Sequence, residues 1–149
     1  MIAGTLIHPG IISALAAAGH GSTVLITDSH YAAKTAVGPN AERIFLNLTA
    51  GNPTVPQVLS VLLDTVTVEN ATVISPSPDA LPSQVQDEIR VLMPSGVPIG
   101  SVTRNEFYAL ARTPDLALCV VSGDTRRFAN VLLTLGVLAR SQTNIHHHG

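Results

Sequence analysis

Short apolar runs alternate with segments of helical periodicity along almost the whole chain. The apolar runs that predict strands are residues 23–27, 42–48, 68–75, 97–102 and 116–121. The segments that predict helices are residues 9–18, 52–63, 85–93 and 104–112. This alternation predicts an α/β fold of three layers, α/β/α, around a mostly parallel open sheet. The run at residues 116–121 is apolar at every position, which predicts a strand buried on both faces.

A chain of 149 residues is expected to form one domain. The α/β pattern also contains a long loop at residues 29–40 and a last apolar segment at residues 128–134. We therefore assign residues 1–137 to this domain. Residues 138–149 form a tail, and its three adjacent histidines are typical of an affinity-tag fragment.

Charged residues are scarce in this chain. They make up 12% of the sequence, about half of the usual share of roughly 25%. A surface so poor in charge favours coverage by further copies of the same chain. We therefore expect a homo-oligomer.

Several classes of protein are disfavoured by composition. The eight Lys and Arg residues are scattered, so no basic stripe for nucleic acid is expected. No apolar run approaches the length of a membrane span, and we expect a cytoplasmic protein with no membrane partner. Cys119 lies in an apolar run, which predicts a buried, inert thiol. Motifs for phosphate, dinucleotide or zinc are absent, so neither a cofactor nor a metal is expected.

Polar side chains at turns and strand ends are the candidates for chemistry: His20, Asp28, His30, Arg104, Tyr108, Asp124, Arg126, Arg127 and Asn130. In open α/β sheets ligands bind beyond the carboxyl ends of the strands, where Asp28 and the segments after residues 102 and 121 are placed. His20 precedes the strand that Asp28 follows. Five extended residues span about 16 Å. The two side chains therefore share a site only if the chain folds back or if two subunits meet.

Each candidate also has a purely structural interpretation. His20 suits the C-terminal end of a helix, and Asp28 suits a turn. Phe107 and Tyr108 favour a place in the core, and His30 suits either the loop surface or a layer behind the site. The group Asp124, Arg126 and Arg127 favours a solvated turn or a subunit contact over catalysis.

Four segments in order give the chain a family resemblance. They are Gly-His-Gly at residues 19–21 with Asp-Ser-His at 28–30, Arg-Asn-Glu-Phe-Tyr at 104–108, Ser-Gly-Asp at 122–124 with Phe-Ala-Asn-Val-Leu-Leu at 128–133, and Gly-Val at 136–137. In these segments the chain resembles the RbsD/FucU family of D-ribose pyranases and L-fucose mutarotases, over nearly all of its length up to about residue 137. Arg104 makes it more similar to the fucose branch.

The resemblance implies an RbsD-like fold, a ring-shaped oligomer that is a decamer in known relatives, and sugar sites at subunit boundaries. It also implies that His20 donates a proton and that Asp28, Arg104 and residues Phe128, Ala129 and Asn130 contact a monosaccharide. The family usually has a tyrosine where this chain has Phe128. Whether pyranose and furanose forms interconvert is therefore left open, with Tyr108 or Tyr31 as candidate sources of the missing hydroxyl.

The chemistry that this family performs is compatible with these residue types. Anomer exchange needs a proton at the ring oxygen and removal of a proton from the anomeric hydroxyl, and a histidine titrates in the right range for the first step. The sequence thus predicts an isomerase, a cofactor-free mutarotase acting on an L-fucose-like sugar or on ribose. The alternative is a non-catalytic sugar-binding or transport-accessory protein on the same scaffold.

Overall fold

A six-stranded sheet forms the middle layer of the structure, a computed structural model that describes residues 1–139. The strands are β1 Thr23–Thr27, β2 Glu42–Phe45, β3 Val68–Ile74, β4 Ile99–Val102, β5 Leu116–Val121 and β6 Val131–Leu135. The helices are α1 Pro9–Ala17, α2 Val55–Leu63, α3 Gln84–Leu92 and α4 Arg104–Ala111. The predicted α/β fold is confirmed. The predicted tail lies mostly outside the described residues, since residues 140–149 are not among them.

The strand order is β2-β5-β1-β6-β3-β4. The pairs β2/β5, β1/β5 and β3/β4 are parallel, whereas β6 lies antiparallel between β1 and β3. The sheet is therefore mostly parallel, as predicted, with one reversed strand in its middle. Because β6 is reversed, it begins beside the last residues of β1 and β3. We call this side of the sheet, where β1, β3, β4 and β5 end and β6 begins, the carboxyl edge.

Both faces of the sheet are covered, because side chains alternate along each strand. Val24 and Ile26 of β1 pack on the side of α1, α2 and α3. Leu25 points to the other side, where α4 and apolar residues of the loop at 31–41 cover it. Strand β5 is buried on both faces as predicted, and burial raises the pKa of its Cys119 thiol to about 12. No helix in residues 1–139 is long and apolar enough to cross a membrane.

Helix α2 begins later than the sequence pattern predicts. Thr54 has an extended backbone and caps the helix, and its hydroxyl accepts a hydrogen bond from the N–H of Gln57 at 3.2 Å. The Gln57 side chain accepts in return from the N–H of Thr54 at 2.8 Å. This capping box fixes the first helical residue at Val55, so the predicted start at residue 52 is wrong. The predicted strand at residues 42–48 is also too long, since β2 ends at Phe45.

The turn after β5 is stabilised by the buried carboxylate of Asp124 and is not a solvated turn. Asp124 is only 1% exposed. Its Oδ2 accepts hydrogen bonds from the first N–H of α2, on Val55, at 3.1 Å and from Arg126 Nη2 at 2.8 Å. Its Oδ1 accepts from the Nε of Arg126 at 3.0 Å, and Arg126 also pairs with Glu88 of α3. The interpretation of Asp124 as part of a solvated turn is therefore wrong, because desolvation is offset by these donors.

Asp124→Asn tests this arrangement. Burial raises the pKa of Asp124, but hydrogen bonds from Arg126 and Val55 outweigh it and leave the pKa below its ordinary value. The charged form therefore stabilises the fold above pH ~4, and this contribution is lost as pH falls through the lowered pKa. We expect the variant to lose about 1.5–3 kcal/mol of unfolding free energy at pH 7 in urea titrations, and the deficit to shrink below pH ~4. Asp79→Asn, at an exposed carboxylate, is the control; equal losses in the two variants would contradict the role of Asp124.

Candidate active site

A cavity of about 420 Å³ opens at the carboxyl edge. We call it the edge cavity. Its lining residues come from four segments of the chain: Asp28, His30, Tyr31, Ile74, Arg104, Tyr108, Arg127, Phe128 and Asn130. Five residues predicted from the sequence to bind substrate, namely Asp28, Arg104, Tyr108, Phe128 and Asn130, are thus brought together. The position agrees with the rule that ligands bind beyond the carboxyl ends of strands.

A reciprocal pair of hydrogen bonds joins Asp28 to Asn130. The N–H of Asp28 donates to Asn130 Oδ1 at 3.0 Å, and Asn130 Nδ2 donates to Asp28 Oδ2 at 3.2 Å. The N–H of His30 donates to Asp28 Oδ1 at 3.0 Å. Burial raises the pKa of Asp28, and these hydrogen bonds counteract the rise only in part. A carboxylate has about four acceptor positions, so Asp28 is fixed in place yet retains acceptors for ligand hydroxyls.

Phe128 adopts a left-handed backbone with φ of 64°, which is rare for a bulky residue. Such conformations persist where the surrounding structure imposes them, and they are concentrated at functional sites. The ring of Phe128 lines the edge cavity, with the guanidinium of Arg127 5.7 Å from its centroid. The next side chain, that of Ala129, is fully buried in the core on the α1–α3 side. The side chain of Ala129 therefore does not line the cavity, in contrast to its predicted neighbours in the segment.

Two tyrosines meet at one wall of the cavity. The rings of Tyr31 and Tyr108 pack edge to face with centroids 5.4 Å apart. The Tyr31 hydroxyl donates to the carbonyl of Ala36 at 3.3 Å, and burial raises the pKa of Tyr31 above its ordinary value. Within the described residues the Tyr108 hydroxyl has no hydrogen-bond partner, so it is the phenol available to a ligand. Phe107 is a core residue as predicted, and Tyr108 is half-buried, packing against the core while it also lines the cavity.

Four further residues complete the lining of the edge cavity. Arg104 is exposed at the first position of α4, and His30 has its Nε2 3.1 Å from the carbonyl of Thr125. Arg127 lines the cavity although the sequence favoured a turn or a subunit contact. Ile74 was not considered, and its only signal was its place at the end of a predicted strand.

His20 lies at the opposite end of β1 from Asp28. It occupies the turn after α1, is 56% exposed, and has its Nε2 3.0 Å from Glu69 Oε2. It lines a different cavity of about 690 Å³ next to α1 and the residues before β5. The alternative in which the chain folds back to join His20 to Asp28 is therefore wrong. A site that His20 and Asp28 share between two subunits stays a prediction.

Comparison with known proteins identifies the family. The model of the RbsD / FucU transport protein family matches residues 1–138. D-ribose pyranase 2 of Streptomyces griseus is 35% identical over 133 residues, which cover 89% of this chain and 95% of that protein. D-ribose pyranase of Paracidovorax citrulli is 31% identical over 138 residues, which cover 89% of this chain and 95% of that protein. The chain belongs to the RbsD/FucU family, as its sequence motifs predicted.

Solved structures share this fold. RbsD of Bacillus subtilis, complexed with D-ribose, gives a TM-score of 0.80 at 23% identity and covers 93% of this chain and 100% of its own. The fucose mutarotase of Streptococcus pneumoniae, in complex with L-fucose, gives a TM-score of 0.74 at 18% identity. This match covers 89% of this chain and 95% of that protein. The relatives named pyranase and mutarotase are isomerases, which confirms the predicted enzyme class. The fucose-like sugar and the decamer stay predictions.

Asn130→Ala tests the pair of hydrogen bonds between Asp28 and Asn130. The change removes both partners that Asn130 provides to Asp28 and leaves a buried N–H and a buried carboxylate oxygen without them. We expect a loss of about 1–3 kcal/mol of unfolding free energy by urea titration. We also expect a further rise of the Asp28 pKa in carboxyl-carbon NMR titrations. Asn105→Ala, at an exposed position of α4, should change both quantities little; an unchanged Asp28 titration in Asn130→Ala would rule out the pairing.

Proposed function

We propose that the protein is a cofactor-free mutarotase that interconverts the anomers of a free monosaccharide in the edge cavity. The observation that carries this proposal is the convergence of Asp28, Asn130, Arg104 and Tyr108 with the ring of Phe128 around one small cavity. Carboxylate, amide, guanidinium and phenol groups form directional hydrogen bonds to hydroxyls. An aromatic ring packs against the C–H face of a sugar. The volume lies toward the lower end of the range for ligand pockets, which suits a single monosaccharide.

The reaction moves two protons. One is delivered to the ring oxygen as its bond to the anomeric carbon breaks, and one leaves the anomeric hydroxyl. Asp28 suits the second role, because a desolvated carboxylate with a raised pKa accepts a proton more readily than an exposed one. Arg104 and Tyr108 hold the other hydroxyls, so that the open-chain form stays in place until the ring recloses.

We assign the first proton to His20 of a neighbouring subunit. Its imidazole is exposed at the edge of the sheet opposite its own Asp28, and Glu69 orients the ring from one side. A ring of subunits, a decamer by family resemblance, would bring this turn to the edge cavity of the next chain. Phe45 and Leu48, exposed at the end of the edge strand β2, support coverage by another copy. We further propose that the sugar is L-fucose-like, because Arg104 makes the chain resemble the fucose branch of the family. We also propose that the reaction takes place in the cytoplasm.

Exchange NMR between anomers tests the activity. We expect acceleration over buffer for at least one sugar in a panel that contains L-fucose and D-ribose. His20→Ala should lower that rate about 10²–10⁴-fold, since it removes a general acid. The matched control is His8→Asn, which keeps an N-cap acceptor for α1 where His8 Nδ1 accepts from Ile11 N–H. Sugar binding without acceleration in the wild type would favour the non-catalytic alternative.

Mixed oligomers test the shared site. Asp28→Ala and His20→Ala chains, each inactive alone, are coexpressed with different tags and purified as heteromers. If each site takes His20 from one chain and Asp28 from another, random mixing restores about a quarter of the wild-type rate per site. No recovery in heteromers of wild-type mass would contradict the assignment of the first proton to His20 of a neighbouring subunit.

A further inference from the structure

The imidazole of His20 forms a hydrogen bond at one of its two nitrogens. Its Nε2 lies 3.0 Å from Glu69 Oε2. An ionised carboxylate is only an acceptor, so Nε2 carries the hydrogen of this bond. Among residues 1–139, none forms a hydrogen bond with Nδ1 of His20. The bond made by one ring nitrogen decides the protonation of the other, so the neutral ring has a bare Nδ1.

The turn that carries His20 is attached to the end of β6. The N–H of Gly21 donates to the carbonyl of Leu135 at 3.0 Å, and the N–H of Leu135 donates to the carbonyl of Ser22 at 2.9 Å. Gly21 has a φ of 85°, a conformation that glycine adopts without steric cost. The backbone therefore fixes the place of His20 relative to the sheet, whatever its side chain contacts.

A glycine lies between this turn and Glu69. Gly136 follows β6, and its N–H donates to the carbonyl of Thr67, the residue before β3, at 2.8 Å. A Cβ at position 136 would lie 3.2 Å from the Cβ of Glu69, closer than the favourable separation of two carbon atoms. Because Gly136 has no side chain, the side chain of Glu69 has room to extend from β3, past the end of β6, to His20.

The contact between His20 and Glu69 has little value for folding. Both side chains are exposed in the single chain, and exposed ion pairs contribute little to stability. What the contact does determine is which nitrogen can meet a ligand. With Nε2 bound to Glu69, Nδ1 is the ring nitrogen that remains for the cavity of a neighbouring subunit.

We propose that Glu69 is a positioning residue for His20 and that the proton delivered to the sugar comes from Nδ1. This inference rests on the proposed mutarotase function and adds the donating atom and the residue that selects it. In the imidazolium, Nε2–H stays on Glu69 while the Nδ1 proton passes to the ring oxygen. The bond from this oxygen to the anomeric carbon breaks and leaves its electron pair on the oxygen. The neutral imidazole then has a bare Nδ1, which accepts the proton of the new hydroxyl when the ring recloses.

Replacement of His20 by Nδ1-methylhistidine tests the atom directly. The methyl group blocks Nδ1 and leaves Nε2 as the only ring nitrogen that can donate a proton. In protein of wild-type oligomer mass, we expect the rate of anomer exchange to fall about 10²–10⁴-fold, as in His20→Ala. Exchange NMR measures this rate for a sugar that the wild type accelerates. A wild-type rate would assign the proton to Nε2 and overturn the inference.

Two variants of Glu69 test its positioning role. Glu69→Gln keeps an acceptor for Nε2–H, whereas Glu69→Ala removes it. We expect Glu69→Ala to lower kcat about tenfold with little change in KM, and Glu69→Gln to retain most of kcat. Asp87→Asn removes a charge from an exposed site on α3 and should change neither constant. A wild-type kcat in Glu69→Ala, or the same loss in both Glu69 variants, would contradict the role of the acceptor.

The outcomes separate this inference from the function on which it rests. If the wild type accelerates no sugar, the mutarotase itself is overturned. If the wild type and His20→Ala are equally active, the mutarotase stands, but His20 is not its acid and the inference falls with that assignment. If His20→Ala is inactive while the methylated protein or Glu69→Ala is fully active, His20 stays the acid and only this inference is overturned.

Discussion

The carboxylate of Asp124 is the interaction on which the rest of the site depends. It binds the first N–H of α2 and the guanidinium of Arg126, and Arg126 reaches Glu88 on α3. The carbonyl of Asp124 accepts from the N–H of Ser29, in the loop that follows β1, at 2.8 Å. One residue therefore joins two helices to the loops on either side of the cavity. The segment that lines the cavity begins three residues later, at Arg127. The hydrogen bonds of the buried Asp124 carboxylate therefore also fix the position of this segment.

The candidate site divides its groups between two ends of the sheet. The groups that we propose to bind a sugar lie at the carboxyl edge, while His20, which we propose as the proton donor, lies at the other end of β1. Under this proposal, a single chain carries two incomplete halves of the site. In a closed ring every chain contributes one half to each of its neighbours' sites, so no half is left unused. Assembly and activity would then be inseparable, which is consistent with a surface that is poor in charge and exposes apolar side chains.

Much of this could be predicted from the sequence, and the failures have physical causes. Periodicity located all four helices and the strands, because side-chain burial imposes periods of 3.6 and 2. The ends of parallel strands meet at one edge, so Asp28 and Arg104 were expected together. Periodicity does not carry strand direction, so the reversal of β6 was not predicted. The burial of Asp124 depends in part on a donor about 70 residues away, the N–H of Val55 in α2, which spacing cannot indicate. The contact of Tyr108 with Tyr31 at the cavity wall could not be predicted either, because Tyr31 lies in a loop without periodicity.

The reversed strand has a consequence for truncated forms of the protein. Within residues 1–139, strands β2, β5 and β1 form one half of the sheet, β3 and β4 form the other half, and β6 pairs with both halves. A chain that lacks β6 would therefore have an unpaired edge on β1 and another on β3. Such edges are templates for pairing with other chains. Truncation before residue 131 would leave both edges open, so the resistance of this sheet to edge-to-edge aggregation depends on its last strand.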